Sequence, residues 1–244
     1  MNLRKLILSN NDCYKAGRKI KPRGIMVHST GANNPWLKRY VGPDDGFLGK
    51  NQYNNHWNQP RPDGQQKCVH AFIGKLKDGT IATYQTLPWD HRGWHAGGRA
   101  NDTHIGFEIC EDGLNDPVYF GQVYREAVEL CVYLCKMFGL TEKDIICHAE
   151  GAKLGIASNH GDVLHWFPKF GKTMDDFRAD VKKELLKGGT AVAGKDKPSS
   201  WAQEAWKWAT ERGVTDGTNP QGPVTREQAI TMIYRALKSV GVVK

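Results

Sequence analysis

Between His148 and Asp162 the chain reads His-Ala-Glu-Gly-Ala-Lys-Leu-Gly-Ile-Ala-Ser-Asn-His-Gly-Asp. Three groups able to hold or assist a metal, His148, His160 and Asp162, stand there among small residues. Gly151 and Gly155 disfavour a long uninterrupted helix. A loop folding back would bring His148 and Asp162 to one ion. Two neighbouring ligands seldom make a zinc site alone, because catalytic zinc usually takes three protein ligands and a water. The third is to be sought at the end of a buried strand.

Gly24-Ile25-Met26-Val27-His28 is an apolar run closed by a histidine. It reads as a short buried strand that stops at His28, with Ser29 to Pro35 as a loop. A histidine there is placed to reach a cleft; taken alone it is more often an ordinary hydrogen-bonded one. Thr103 to Cys110 reads as a second buried strand with Glu108 inside its apolar run. His28, His148 and Asp162 would offer two neutral imidazoles and one carboxylate. A zinc ion so held lowers the pKa of its water and polarises a carbonyl. Glu108, its pKa raised by apolar surroundings, would carry a proton from that water to a leaving amine. The chemistry indicated is metal-assisted hydrolysis of an amide or ester.

Several elements must position these groups. Strands are predicted at Cys68–Gly74 and Thr80–Gln85, joined by the turn Lys77-Asp78-Gly79-Thr80, and at 143–148, carrying His148 to its end. Residues 36–67 are rich in Asn, Gln, Gly, Pro and Trp and hold only a short helix near Trp36–Tyr40. Val123, Ala127, Leu130, Leu134 and Phe138 recur at helical spacing, which predicts a helix over 122–138 ended by Gly139. Asp175 and Asp176 are predicted to cap a helix over about 177–187. Residues 188–198 read as a linker. Beyond it, Trp201, Ala205, Trp208 and Ala209 form a helical stripe closed by Gly213. Thr225 opens a further helix as N-cap, with Gln228 completing a capping box. A unit of this size has little core of its own, so a repeat partner or self-association fits it.

The 244 residues suffice for one domain of ordinary size plus a small one. The formal charge of +8 suits an anionic partner such as nucleic acid or cell-wall polymer, or simple solubility. No nucleic-acid-binding motif is present. Six cysteines form no C-x-x-C pair; Cys131 and Cys135 read as core thiols, and nothing marks a disulfide scaffold. The apolar patch Leu6-Ile7-Leu8 is too short for a signal peptide, and no stretch is long enough to span a membrane. The expectation is a chain made in a reducing cytoplasm, with no membrane insertion.

The motifs, taken in order, resemble the zinc-dependent N-acetylmuramoyl-L-alanine amidase family, which spans phage endolysins and peptidoglycan recognition proteins. The matching pieces are Gly-Ile-Met-Val-His28-Ser-Thr-Gly, Val69-His70-Ala-Phe-Ile-Gly with Asp78-Gly79-Thr80, Gly93-Trp94-His95-Ala96-Gly97, Ile105-Gly106-Phe107-Glu108, and His148 with His160-Gly161-Asp162. They cover about residues 20–185. The resemblance implies an α/β fold, a mixed central β-sheet flanked by helices, with zinc in an open groove. It implies His28, His148 and Asp162 as zinc ligands, Glu108 as the catalytic acid-base, and cleavage between N-acetylmuramic acid and L-alanine in a Gram-positive wall. Many members carry Lys where this chain has His160, which makes His160 the candidate oxyanion stabiliser; the competing reading makes it the third ligand. Some members place a catalytic Tyr at the position of Val69, which leaves Glu108 to act alone. His95 and Trp94 are the candidate substrate contacts, and His70 is a structural one. Trp36, Trp94 and Trp166 either stack on sugars or fill the core.

The segment Thr215-Asp216-Gly217-Thr218-Asn219-Pro220 with Thr225-Arg226-Glu227 resembles one S-layer homology motif. That implies a division into 1–187 as a catalytic domain, 188–198 as a linker, and 199–244 as a small helical wall-binding domain. The last would hold anionic wall polymer, Arg226 first, and offers a route to a homo-oligomer. With no signal peptide in view, an endolysin made in the host cytoplasm and acting on the wall after release is expected. The same chemistry in a host autolysin is the alternative, as is a non-catalytic peptidoglycan-binding protein.

Overall fold

In the computed structural model, residues 1–189, 198–217, 224 and 226–243 are described. The chain divides into two units, Met1–Leu185 and Leu186–Lys244.

The first unit is built on a six-stranded sheet. In chain order its strands and helices are β1 (Leu3–Lys5), α1 (Asp12–Ala16), β2 (Gly24–Asn33), β3 (Ala71–Lys75), β4 (Ile81–Gln85), β5 (His104–Glu111), α2 (Pro117–Phe138), β6 (Ile145–Cys147), α3 (His148–Lys153) and α4 (Met174–Gly189). The strand order is β1-β4-β3-β5-β2-β6. Only the β3–β4 pair is antiparallel, as the Asp-Gly turn requires; the others are parallel. The sheet is therefore mixed, with helices packed on it.

Register decides which residues share a face, since partners on neighbouring strands point the same way and successive residues alternate. Val27 pairs with Phe107, which pairs with Ala71. These three sit in the larger core with Val123, Ala127, Leu130 and Leu134 of α2 and Phe177 and Val181 of α4. His28 pairs with Glu108, which pairs with Phe72. They point to the opposite face, where Phe72 packs with Tyr40, Trp57 and Cys110 in a second core. The alternation thus sends one set of residues under α2 and leaves the next set, His28 and Glu108, on the face that carries the chemistry.

Three local expectations are corrected. The strand from Gly24 does not stop at His28 but runs to Asn33, with a register shift between Ser29 and Asn33. The long helix begins at Pro117, because Asp116 caps it by accepting from the amides of Val118 and Tyr119, and proline suits the first turn. The last helix of this unit starts at Met174: Thr173 accepts from the Asp176 amide and Asp176 accepts from that of Thr173, so Thr173 and not the aspartates caps it.

The cysteines bring a fourth correction. Cys13 of α1 and Cys68 are joined by a disulfide, with Cα atoms 6.4 Å apart. They lie 55 residues apart in sequence, so spacing carries no signal of the pairing. Cys131 and Cys135 are free, buried core thiols, as expected. Trp166 is fully buried among Tyr119, Phe120 and Phe167 and is not available to a sugar.

The second unit contains α5 (Gln203–Glu211) and α6 (Arg226–Ser239). Gly213 follows α5 in the left-handed conformation. Thr225 and the stretch Thr218–Asn219–Pro220 fall outside the described residues, as does most of the expected linker. On α6, Ile230, Ile233, Tyr234 and Leu237 form an exposed apolar stripe at helical spacing. Among the described residues no helix is long and apolar enough to cross a membrane.

Candidate metal centre

Three elements deliver three ligands to one place. His28 arrives on β2, inside the sheet between β5 and β6. His148 is the first residue of α3, directly after β6, which pairs with β2. Asp162 opens the short turn Asp162–His165 with φ +41°, a left-handed backbone that aspartate tolerates better than most residues. Their ligand atoms all lie within 4.8 Å of one another. His28 Nδ1 is 3.2 Å and His148 Nδ1 is 3.0 Å from the same oxygen, Asp162 Oδ2. Two bonds of ~2.0–2.1 Å at a tetrahedral angle span ~3.3 Å, so these separations are those of ligands around one zinc-sized ion. Two imidazoles and one carboxylate are also a recognised donor set for catalytic zinc. The residues present fit the metal.

The electrostatics agree. Burial alone would raise the Asp162 carboxyl, but the close approach of His148 and His28 outweighs it and holds the group well below the usual carboxylate range. Burial lowers His28, which keeps its imidazole neutral and able to ligate.

Glu108 lies beside His28 across the β2–β5 pair. Burial, followed by the negative charge of Asp162, pushes its carboxyl well above the ordinary value. Its Oε2 is buried with no hydrogen-bond partner. A structural carboxylate is normally paired, so a buried, partnerless carboxyl oxygen beside such a cluster marks a functional candidate. Glu108 and the three ligands lie on a cavity of about 610 Å³ that is also lined by Tyr40, Trp57, Lys67, Trp94 and His160.

The other sequence candidates divide as follows. His160 is not one of the three clustered ligands; its ring stacks on that of His148, with centroids 4.7 Å apart, and lines the cavity. Trp94 is 40% exposed on the cavity, with the Arg92 guanidinium over its ring. Both ring nitrogens of His95 are taken by protein groups, His28 Nε2 at 3.0 Å and the His104 carbonyl at 3.2 Å. Its ring also lines the cavity. His70 is wholly buried, bonded to the His91 carbonyl and the Gly106 amide, and pushed down to about 4 by burial. It is structural, as read from the sequence.

Sequence reasoning missed the supports. Ser158 Oγ lies 3.0 Å from His148 Nε2. The buried Glu111 accepts from the Gly31 amide and pairs with His165, tying the turn that carries Asp162 to the end of β5. Neither has a motif; only the folded chain brings them near.

Fold and site together place a cluster able to hold one metal ion on a mixed α/β sheet. A family model for N-acetylmuramoyl-L-alanine amidase matches residues 18–163, which hold all the candidate ligands and Glu108. The chain belongs to the N-acetylmuramoyl-L-alanine amidase family. Its fold is similar to that of the Staphylococcus aureus hydrolase AmiA solved with its ligand, at TM-score 0.55 and 19% identity over 79% of this chain and 86% of that one. It is similar to a point mutant of PlyL, at TM-score 0.54 and 20% identity over 75% and 99%. It is also similar to a mutant endolysin from Bacillus subtilis, at TM-score 0.50 and 23% identity over 74% and 99%. No curated protein matches the chain.

Proposed function

We propose that the protein is a zinc-dependent peptidoglycan hydrolase that cleaves the amide bond between the lactyl group of N-acetylmuramic acid and L-alanine. One observation carries this reading: within the family match, His28, His148 and Asp162 gather their ligand atoms on the cavity that holds Glu108, whose buried Oε2 has no partner. A bound zinc ion supplies Lewis acidity to the scissile carbonyl and acidity to a water. Glu108 accepts the proton of the attacking water and passes it to the alanine nitrogen as the C–N bond breaks. Its raised pKa suits both halves of that transfer. His160, on the cavity wall beside His148, faces the carbonyl oxygen as negative charge develops there. Trp94 offers an exposed ring to a sugar or stem peptide.

We further propose that 1–187 is the catalytic domain and 199–244 a wall-binding module for anionic polymer. The exposed stripe of α6 supports self-association of that module, since a lone helix face of this kind is usually covered in use.

The products test the bond assigned. Purified Gram-positive walls incubated with the protein are expected to release stem peptides bearing a new N-terminal alanine, with the glycan strands left uncut. Release of reducing sugar ends without free alanine would contradict the amide assignment. Wall binding with no release at all would favour the non-catalytic alternative.

A further inference from the structure

The segment His95–Ala96 borders the site, with His95 on the cavity wall, and its contacts converge on the two histidine ligands. Its own backbone is fixed first: the amides of His95 and Ala96 both donate to Oδ1 of Asn101, each at 2.9 Å, and Asn101 is 2% exposed. From this clamp the Ala96 carbonyl faces His148 Nε2 at 3.2 Å, beside Ser158 Oγ, which itself donates to that carbonyl. The His95 ring faces the other ligand, with Nδ1 3.0 Å from His28 Nε2.

The order of donors along this chain is determined by its end. The His104 carbonyl can only accept, so His95 Nε2, 3.2 Å away, carries the hydrogen. In a neutral ring the other nitrogen, Nδ1, is then an acceptor. It receives the hydrogen of His28 Nε2, which leaves the lone pair of His28 on Nδ1. That nitrogen is the one turned toward Asp162 Oδ2. The same logic holds for His148: its Nε2 meets an acceptor carbonyl, and its Nδ1 is turned toward Asp162. The ring of His95 also has a seat made for it. A Cβ on Gly106 would collide with the His95 ring, and one on Gly93 would come 2.8 Å from His95 Cδ2.

We propose that His95 is a positioning residue for the metal centre: clamped by Asn101, the His95–Ala96 segment holds both ligand histidines with Nε2 protonated and Nδ1 free to ligate. This rests on the reading of His28, His148 and Asp162 as zinc ligands. Outer partners of this kind orient a ligand and raise its basicity, and losing one typically costs about 10- to 100-fold in metal affinity.

The test is zinc affinity of the full chain, stripped of metal and titrated with Zn²⁺ against a chromophoric chelator. His95→Ala is expected to bind zinc about 10- to 100-fold more weakly than wild type. His95→Asn, whose side-chain oxygen can accept where Nδ1 did, is expected to recover most of the loss; a merely space-filling role would not distinguish the two. In the zinc-loaded wild type, ¹⁵N shifts of the imidazoles are expected to show His95 neutral with its hydrogen on Nε2, a measurement that needs no variant to fold. His95→Ala binding as tightly as wild type, or a hydrogen on His95 Nδ1, would overturn the bracing alone. Wild type that takes up no zinc would sink the metal reading and this inference together.

Discussion

Glu108→Gln is expected to keep zinc and lose turnover, by about 10²- to 10⁴-fold, the usual contribution of a positioned general acid–base. The substitution preserves shape and leaves the three ligands untouched, so bound zinc per chain should equal that of wild type. What it removes is the ability to take and return a proton. Val69 lines the same cavity, and its apolar side chain cannot share the task. The same change should make the metal-free protein more stable at neutral pH. Because the folded state holds the Glu108 proton more tightly than the unfolded state, wild type loses stability as pH rises above the ordinary glutamate value of 4.5. Glutamine has no charge to bury, so its advantage should grow with pH over that window and vanish below it. Thermal melts of the two metal-free proteins across pH check this. A variant less stable than wild type at neutral pH would show that the ionised carboxylate is better accommodated than its surroundings imply.

Asp162→Ala is expected to abolish stable zinc binding. The loss should exceed the roughly 100-fold that removal of an outer partner can cause, because a direct ligand goes. Two nitrogens, Nδ1 of His28 and of His148, share the Asp162 oxygen and would both be left without it. His160→Ala should behave differently, retaining zinc at wild-type affinity while slowing hydrolysis. Its ring touches the back of a ligand and the cavity, and is outside the ligand cluster. Metal content of the two purified variants decides between them. If His160→Ala came out without zinc and Asp162→Ala with it, His160 would be the third ligand and Asp162 its partner.

Much of this centre is legible in the chain because strand ends advertise themselves. An apolar run that stops at a histidine, as at His28, or encloses a glutamate, as at Glu108, leaves few bland explanations when two such runs occur together. His148 and Asp162 are legible for a different reason, small residues and glycines between polar groups. The supports are not legible. His95 meets His28 across 67 residues, and what matters is which nitrogen faces which, a relation with no image in sequence. Asn101, Ser158 and Glu111 are likewise ordinary polar residues until the sheet closes. Element ends shifted where a capping side chain or a neighbouring strand prevailed over composition: Asp116 drew α2 back to Pro117, and pairing with β5 carried β2 past His28. Cys13 and Cys68 illustrate the limit, since each looks like a lone thiol until α1 is set against the segment that leads into β3.

The most direct test of the central claim is zinc dependence of amide cleavage. Release of N-terminal alanine from purified walls should stop when the protein is stripped with a chelator and dialysed. It should return on addition of one equivalent of Zn²⁺ to wild type, and fail to return in Asp162→Ala. Alanine release that continues undiminished in the stripped, metal-verified protein would contradict the assignment of His28, His148 and Asp162 as the centre of its chemistry.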